Sequence, residues 1–445
     1  MSVDTRTGAE VGAWAEQLEQ RISRREARVG VVGLGYVGLP LAVEFAKAGF
    51  VVTGIDISEP KVAQVNAGAS YVLDVPRSVL LPLVESGKLR ATGDFAVLGE
   101  LDTVNICVPT PLRKTKDPDM SYVDAVCRQI ATYLHSGMLI ILESTTYPGT
   151  TEEFVLPLLE REGLRVGQEF FLCFSPERVD PGNPHYQTGN IPKVVGGVTP
   201  ACTRLGARLY GQALSCVVPV SSPRVAEMVK LLENTFRMIN IGLANEMALM
   251  CDRMGIDVWE VIEAAATKPF GFMPFYPGPG LGGHCIPIDP FYLSWKIRQA
   301  GIEARFIELA GYINGQMPHF VVEKVQNALN ERGKPVKGAH VHILGVAYKR
   351  NVDDMRESPA LDVMHLLKRR GARLTYSDPF IGKVQVDGLE LAAVAPEAAA
   401  GAADCVVIIT DHTAFDYAAL FEQAQLIVDT RNALKGFSSE KIVRL

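Results

Sequence analysis

Residues 28–58 read RVGVVGLGYVGLPLAVEFAKAGFVVTGIDIS, and this stretch decides the fold. It begins with an apolar, β-branched run, turns at a cluster of glycines, continues as a helical pattern and ends in a second apolar run from about Phe50 to Ile57. That order is typical of a βαβ unit. Gly33, Gly35 and Gly38 spell G-x-G-x-x-G at the opening of the predicted helix, where the three glycines permit a tight turn, close approach of a pyrophosphate and close packing of helix on strand.

An acidic residue at the end of the second strand strengthens this interpretation. Asp56 lies 23 residues after Gly33, where a carboxylate accepts hydrogen bonds from ribose hydroxyls and repels a 2′-phosphate. The N–H groups at the helix start favour the phosphates. The stretch therefore predicts NAD in preference to NADP. A glycine turn of packing value only, and FAD or another nucleotide, remain alternatives.

The composition excludes several classes of protein. The chain has 445 residues, of which 48% are hydrophobic and 21% charged, so a large soluble globular protein is expected. A net charge of -6, from 44 basic and 50 acidic residues, favours neither nucleic acid nor an anionic membrane as a partner. The eight cysteines include no C-x-x-C, no secretory or membrane-spanning apolar stretch is present, and the histidines show no metal spacing. We expect a cytoplasmic protein with reduced thiols and no metal.

Strand and helix patterns alternate at both ends of the chain and become purely helical in the middle. We predict an α/β protein with two Rossmann-like doubly wound domains joined by a central helical region. The first sheet is expected to be parallel to about Pro219, and a long helix from Ser222 to Gly255 opens the middle. The predicted segments are an N-terminal extension (1–26), an NAD-binding α/β domain (27–219), a central helical domain (220–332) and a second α/β domain (333–445). The extension is expected to be a surface helix or a partly disordered arm.

A cysteine stands in the glycine-rich segment GPGLGGHCIPIDP, residues 278–290. The glycines are expected to leave backbone amides uncovered around Cys285, and such a setting suits a nucleophilic thiol better than an inert core cysteine. Asp289, four residues on, is a candidate base, although Asp before Pro also opens helices and turns. A dyad of Cys285 with the adjacent His284 is a weaker alternative.

Further polar residues fall where ligands bind in α/β proteins. Lys230 and Asn234 share one helix face, which is either functional or a solvated stripe. Thr145 and Glu177 follow apparent strand ends, the edge at which open α/β sheets bind ligands. In the second α/β domain, Lys349, Arg356 and Arg431 follow predicted strands; they are candidates for an anionic ligand or for surface ion pairs.

Several long motifs occur together in one order: GLGYVGLP, KLLENT, GLGGHCIPIDP and YKRNVDDMRES. From about Arg28 onward the chain resembles the nucleotide-sugar 6-dehydrogenases, the UDP-glucose/GDP-mannose dehydrogenase family. The resemblance implies an N-terminal NAD domain, a helical middle that forms a homodimer or higher homo-oligomer, and a C-terminal domain for a UDP-sugar.

Within that family, TKPFGFMPFYPGPG and FSPERVDPGN are most similar to the UDP-N-acetylglucosamine 6-dehydrogenases. The chain departs from the UDP-glucose pattern at Ile288 and Glu143, where that pattern usually has lysine. UDP-glucose and UDP-N-acetylgalactosamine remain alternative substrates.

The resemblance also implies roles for individual residues. Oxidising an alcohol to a carboxylate removes four electrons, so two NAD molecules are needed in turn, and Cys285 would retain the aldehyde as a thiohemiacetal and then a thioester. The predicted catalytic residues are Cys285, Lys230, Asn234, Asp289, Thr145 and Glu177. The predicted cofactor-binding residues are Gly33, Gly35, Tyr36, Val37, Gly38, Asp56, Pro109, Thr110, Thr145 and Arg356. The predicted substrate-binding residues are Glu177, Arg178, Val179, Lys230, Asn234, Tyr276, Gly278, Gly282, Lys349 and Arg431.

Overall fold

The computed structural model describes residues 7–72, 74–113, 118–160, 163–180, 183 and 185–445, with residues 7–11 described by their backbone only. Contacts divide the chain into two compact units, Met1–Glu233 and Asn234–Leu445. The boundary falls inside a long helix, within the predicted central region.

The first unit is built on an eight-stranded sheet. Its strands are β1 (Arg28–Val32), β2 (Val51–Ile55), β3 (Leu89–Thr92), β4 (Thr103–Ile106), β5 (Leu139–Leu142), β6 (Phe171–Phe174), β7 (Lys193–Gly197) and β8 (Val217–Val220). The order across the sheet is β3-β2-β1-β4-β5-β6-β7-β8, so the chain reverses its direction of progress between β1 and β4. In open α/β sheets this switch point is where a ligand binds, at the carboxyl ends of the strands.

Helices connect these strands. They are α1 (Thr7–Ser23), α2 (Gly38–Lys47), α3 (Glu59–Asn66), α4 (Arg77–Glu85), α5 (Ser121–Tyr133), α6 (Leu156–Leu159) and α7 (Pro200–Tyr210), with a 3₁₀ helix at Phe95–Glu100 and a π-helical turn at Thr150–Val155. Apolar residues on α2 and α7 and on one face of the sheet form one core, and those on α5 and on the opposite face form another. The central strands are buried on both faces, as the continuous apolar runs predicted.

The prediction of a parallel sheet to about Pro219 is wrong at one pair of strands. β6 and β7 are antiparallel, with Cys173 opposite Gly197. A parallel return requires a crossover, usually through a helix, whereas the described part of the connection between β6 and β7 contains no helix. As a result, β7 starts at the same edge at which β4, β5 and β6 end.

The N-terminal extension is helical from Thr7 to Ser23, which is the first of the two predicted alternatives. Its apolar residues Ala15, Leu18 and Ile22 recur at helical spacing and are buried in the core that also contains α7. The helix therefore packs as part of the first unit.

The long helix predicted after Ser222 is α8 (Pro223–Met254). The Ser222 hydroxyl accepts a hydrogen bond from the Val225 N–H at 3.4 Å, and Gly255 ends the helix with φ +68°. The chain continues with α9 (Val258–Ala266), α10 (Asp289–Arg298) and α11 (Arg305–Glu331). The helix predicted from Ser222 to Gly255 is therefore present within one residue of each expected end.

The second unit contains a five-stranded parallel sheet in the order β10-β9-β13-β14-β15. Its strands are β9 (His340–Leu344), β10 (Arg373–Ser377), β13 (Cys405–Ile408), β14 (Ile427–Asp429) and β15 (Ile442–Arg444), and a separate hairpin consists of β11 (Lys383–Val386) and β12 (Leu389–Ala392). Its helices are α12 (Pro359–Arg369), α13 (Pro396–Ala402) and α14 (Tyr417–Gln423). The predicted α/β class, with two Rossmann-like sheets and helices between them in sequence, is confirmed.

Among the helices of the described residues, none is both long and apolar enough to span a membrane.

Candidate functional site

The glycine turn lies at the switch point of the first sheet. Gly33 has φ +92°, and a Cβ there would lie 2.6 Å from the Cys107 carbonyl oxygen at the end of β4. A Cβ on Gly38 would lie 1.8 Å from the Gly33 carbonyl oxygen. Gly35 differs, because a Cβ there would meet no atom of the chain within 4 Å. Packing therefore requires glycine at positions 33 and 38, whereas position 35 keeps the backbone open to a ligand, as a dinucleotide pyrophosphate requires.

Asp56 follows β2 and lies beside this turn. Its carboxylate accepts hydrogen bonds from the backbone N–H groups of Leu34 and Ser58, both at 2.9 Å, and Lys61 lies 3.5 Å away. These contacts fix the carboxylate against the glycine turn. Tyr36 is exposed, and Val37 precedes the first residue of α2.

The loops after β4 and β5 meet at the same sheet edge. The Thr110 hydroxyl donates to the Thr145 carbonyl at 2.6 Å, and Pro109 is exposed beside it. The structure thus brings together three predicted residues that are separated by up to 36 positions in sequence.

Glu177 lies in a buried charged network that sequence reasoning missed. The Lys193 ammonium, at the first residue of β7, is 3.2 Å from Glu177 Oε2 and 2.5 Å from Glu143 Oε2. Glu143 Oε1 accepts from the Asn105 amide at 3.0 Å and from the Tyr210 hydroxyl. The network comes together because β4, β5 and β6 end, and β7 begins, at one edge of the sheet.

The pKa values of Glu177, Glu143 and Lys193 in this network do not all shift in the same direction. Burial opposes ionisation of Glu177, but Lys193 and two backbone N–H groups outweigh it and lower the pKa of that carboxyl. Burial raises the pKa of Glu143, although Lys193 opposes the shift. Burial alone would lower the pKa of Lys193, but the two carboxylates raise it above its usual range. Lys193 therefore stays protonated and Glu177 ionised at neutral pH.

The residues after Glu177 are held by the same loop. The backbone N–H groups of Arg178 and Val179 donate to Glu177 Oε1 at 2.7 and 2.9 Å. The Arg178 guanidinium pairs with Glu233 at 2.6 Å and donates to the Pro192 carbonyl at 2.7 Å. The Arg178 guanidinium therefore has its polar partners within the first unit.

In the second unit, Asp289 is the first residue of α10 and is 2% exposed. Its Oδ2 accepts a hydrogen bond of 2.6 Å from the Asn234 amide. The Cys285 carbonyl accepts from the N–H groups of Ile288 and Asp289, so the cysteine lies in the turn that opens α10. Asp289 thus opens the helix and also contacts Asn234, a pairing that the sequence analysis did not predict.

Of the two alternatives for the helix face with Lys230 and Asn234, the solvated stripe is wrong. Lys230 is 8% exposed and Asn234 is 5% exposed, so both side chains are buried. Burying a polar side chain is unfavourable unless it is paired, which favours a functional role for this helix face.

The structure gives a different reason from the predicted one for the presence of glycines before Cys285. The expectation that they leave backbone amides uncovered is wrong for Gly278 and Gly283, whose N–H groups donate to Asn245 Oδ1 at 2.8 Å and the Arg356 carbonyl at 3.0 Å. A Cβ on Gly282 would lie 2.8 Å from Tyr348 Cβ, and one on Gly283 would lie 2.8 Å from the Tyr348 ring. These glycines let the loop pack closely on the segment after β9.

One predicted anion-binding residue, Arg431, lies against this loop in the second unit. A Cβ on Gly278 would lie 2.6 Å from Arg431 Nη1, so the guanidinium lies against the loop backbone. Burial and the nearby Arg350 lower the pKa of Arg431 to about 10, which is the behaviour of a cation short of negative partners. Lys349 is half-buried after β9.

Two other predicted residues have local partners in the second unit. The Arg356 guanidinium donates to Asp354 at 2.6 Å and lies 3.1 Å from His284 Nδ1. Tyr276 is exposed and stacks on Trp259 with ring centroids 6.0 Å apart.

The second sheet has an aspartate in the position equivalent to Asp56, but its carboxylate has no capacity left to bind a ribose. Asp378 follows β10, as Asp56 follows β2, but it accepts hydrogen bonds from five donors: the N–H groups of Val346, Ala347, Phe380 and Ile381, and His412 Nε2. A carboxylate has about four lone-pair sites, so these donors fill its capacity.

Within the described part of the chain, no three or more His, Cys, Asp or Glu side chains form a group that could hold a metal ion.

A dinucleotide turn in one unit, and a cysteine one turn before a buried Asn–Asp pair in the other, define the class of an NAD-dependent dehydrogenase. Models of the UDP-glucose/GDP-mannose dehydrogenase family match three successive segments, its NAD binding domain at residues 27–214, its central domain at 224–316 and its UDP binding domain at 342–436. The chain belongs to this family, uses NAD as its cofactor and acts on a UDP-sugar.

Named relatives act on several sugars. The chain is 36% identical over 395 residues to a UDP-N-acetyl-D-glucosamine 6-dehydrogenase of Pseudomonas aeruginosa, covering 88% of this chain and 92% of the relative. It is also 36% identical over 417 residues to an NDP-N-acetyl-D-galactosaminuronic acid dehydrogenase of Ralstonia nicotianae, covering 91% and 95%. A solved UDP-D-ManNAc dehydrogenase from Pyrococcus horikoshii is similar with a TM-score of 0.85 and 33% identity, covering 94% of this chain and 98% of that one.

Proposed function

We propose that the protein oxidises C6 of UDP-N-acetylglucosamine to the carboxylate of UDP-N-acetylglucosaminuronate, through a covalent intermediate on Cys285. The observation that carries this proposal is the Asn234–Asp289 contact of 2.6 Å, in which both side chains are buried at the turn that holds Cys285. A buried carboxylate one helical turn after a cysteine, fixed by an amide, suits proton transfer next to a nucleophilic thiol.

The chain supplies three kinds of group to the reaction. Asp289 takes the alcohol proton in the first oxidation, through an ordered water that Thr145 positions. Lys230 and Asn234 stabilise negative charge on the C6 oxygen, which is stronger where water is excluded. Cys285 adds to the aldehyde carbon to give a thiohemiacetal, which becomes a thioester on the second oxidation. NAD, when bound, accepts one hydride per molecule, so each sugar needs two.

The thioester is then hydrolysed, and Glu177 assists this step. The water oxygen bonds to the carbonyl carbon and the C–S bond breaks. One water proton passes to the Cys285 sulfur, and the other is released from the new carboxylic acid. The glycine turn with Asp56 holds the cofactor, and Arg431 and Lys349 hold the diphosphate of the UDP-sugar.

The choice of sugar rests on sequence. TKPFGFMPFYPGPG and FSPERVDPGN resemble the N-acetylglucosamine enzymes, and a 36% identical relative carries that name. UDP-N-acetylmannosamine is the second candidate, because a relative of that name is equally similar, with 36% identity over 414 residues.

A substrate panel tests the proposal. kcat/KM is compared for UDP-N-acetylglucosamine and for the corresponding mannosamine, galactosamine and glucose sugars by NADH absorbance. We expect the first to exceed each other sugar by at least about tenfold, which corresponds to about 1.4 kcal/mol of discrimination. A higher kcat/KM for another sugar would refute the assignment of the sugar while leaving the chemistry intact. Cys285→Ser should produce no acid from any sugar of the panel, because an alcohol is a weaker nucleophile than a thiol at neutral pH.

We also propose a homodimer formed through the helices of the second unit. Phe236, Leu243 and Met254 are exposed on α8, and Phe306 and Tyr312 on α11. Large apolar side chains that cluster on helix surfaces mark an interface, and a second copy presents the same helices for isologous pairing. Light scattering after gel filtration should give twice the chain mass of 48.4 kDa for the wild type and a lower mass for Leu243→Glu. A monomeric wild type would refute the proposal.

A further inference from the structure

The network around Glu177 contains one residue that no motif of the chain marks. Lys193 is 5% exposed at its side chain, and its ammonium bridges Glu143, which is fully buried, and Glu177, which is 13% exposed. The lysine thus connects the most buried carboxylate of the network to the carboxylate with a proposed role in catalysis.

Folding stability alone does not explain why a lysine and two glutamates are buried together here. Taking charges out of water is costly, and replacing a buried ion pair by apolar residues of similar size is often neutral or stabilising. Here one ammonium faces two carboxylates, so the network carries an excess negative charge when both are ionised. A purely structural position would be filled as well by an apolar side chain, because the surrounding strands are buried and apolar.

The contacts show what the lysine does to Glu177. Oε1 of that carboxylate accepts from two backbone N–H groups, at 2.7 and 2.9 Å, and Oε2 accepts from the Lys193 ammonium at 3.2 Å. Three of about four lone-pair sites are filled, so the carboxylate is fixed in orientation and keeps capacity for one more donor. A water molecule is the donor that thioester hydrolysis requires.

The other charged groups near Glu177 cannot replace the lysine. Arg178 pairs with Glu233 on α8 and with the Pro192 carbonyl. Burial raises the pKa of the Cys107 thiol, after β4, and of the Tyr210 phenol, at the end of α7, so both are neutral at pH 7. Glu143, after β5, is negative or neutral but never positive.

We propose that Lys193 is a positioning residue that holds Glu177 ionised and oriented for hydrolysis of the Cys285 thioester. This inference rests on the proposed function. Glu143 is the counter-charge that keeps the lysine in place. An ionised glutamate of low pKa is a weak proton acceptor, so the carboxylate acts by orienting water and by its charge.

The test compares Glu143→Gln with Glu143→Gln/Lys193→Met. The single variant keeps the Lys193 ammonium, and its new glutamine amide can still form hydrogen bonds. It is therefore the matched control for loss of the lysine. The double variant replaces the buried ion pair by two neutral side chains and leaves Glu177 without its cation. Melting temperature and circular dichroism establish that both variants are folded.

Three readouts separate positioning from a structural role. In stopped flow, the double variant should release two NADH per active site in a burst and then turn over at least about tenfold more slowly than the control. Acid quenching followed by intact-mass measurement should find the sugar acyl group on Cys285. The acid limb of the hydrolysis rate should move to higher pH, because removing a cation raises the pKa of Glu177.

Equal turnover of the two variants, or slower turnover of the double variant with neither burst nor acyl adduct, would overturn the proposal for Lys193. One NADH per sugar from the wild type would instead overturn the proposed function. If the double variant does not fold, the wild-type hydrolysis rate decides: it should stay level as pH falls to the ordinary glutamate value of 4.5, and an acid limb above that value contradicts the proposal.

Discussion

The glycine turn permits a prediction in which two neighbouring alanine substitutions have different consequences. A Cβ on Gly38 would lie 1.8 Å from the Gly33 carbonyl oxygen, whereas a Cβ on Gly35 would meet no atom within 4 Å. Since Cβ contacts below 3.0 Å are essentially never seen, Gly38→Ala must displace the turn by about 1.2 Å, which should cost roughly 1–3 kcal/mol of stability. Gly35→Ala should leave the free energy of unfolding unchanged within about 0.5 kcal/mol.

Both variants should bind NAD more weakly than the wild type. Gly35→Ala places a methyl group where the backbone must approach the pyrophosphate, and we expect its Kd for NAD to rise at least about tenfold, or about 1.4 kcal/mol. Gly38→Ala should also bind NAD weakly, because the turn has moved. Calorimetric titration with NAD and thermal melting without NAD measure the two effects separately.

A result in which Gly35→Ala melts as the wild type does and binds NAD with unchanged Kd would refute the reasoning, since the glycine at 35 would then have neither a packing nor a ligand role. A Gly35→Ala variant that loses stability would contradict the structure of the turn itself.

Three further predictions concern the second unit and the N-terminal helix. Arg431→Met should raise KM for the UDP-sugar at least about tenfold with little change in kcat, because the guanidinium is proposed to bind the diphosphate and not C6; an unchanged KM would exclude that role. Burial lowers the pKa of His342 to about 4, so the stability that it contributes above pH 6.5 is lost as pH falls towards 4. His342 alone should accordingly make unfolding about 2 kcal/mol easier at pH 5 than at pH 7, a component that His342→Gln should lack; equal pH dependence in both proteins would refute it. Ile22→Ala should destabilise the first unit by about 2–5 kcal/mol, because the side chain is fully buried; an unchanged melting temperature would show that α1 is dispensable.

The features that were predictable from sequence are those encoded by neighbouring residues. The βαβ unit, the glycine turn with Asp56 and the ends of α8 depend on turns, caps and periodicity within a few residues. The resemblance implied catalytic roles for Asn234 and Asp289, but their contact was not predicted, since 55 residues separate the two positions.

The features that were not predictable arise from strand arrangement. Glu143, Lys193 and Tyr210 lie at the ends of different elements, and they meet because β7 returns antiparallel to β6. No local pattern encodes that return. A charged residue at the first position of a buried strand, as in IPKVVGG at 191–197, is the one signal that could have identified Lys193.

The glycines at 278–283 show another limit of prediction from sequence. Their number indicated an important backbone segment, but only the structure shows that Gly282 and Gly283 are required by the Tyr348 side chain. A glycine that serves close packing and a glycine that serves a ligand look the same in sequence.

The central claim is four-electron oxidation through Cys285, and the number of NADH molecules formed per sugar tests it most directly. With a limiting, weighed amount of UDP-N-acetylglucosamine and excess NAD, the final absorbance should correspond to two NADH per sugar, with the uronate as the product identified by mass. One NADH per sugar, with an aldehyde or ketone as the product, would contradict the account.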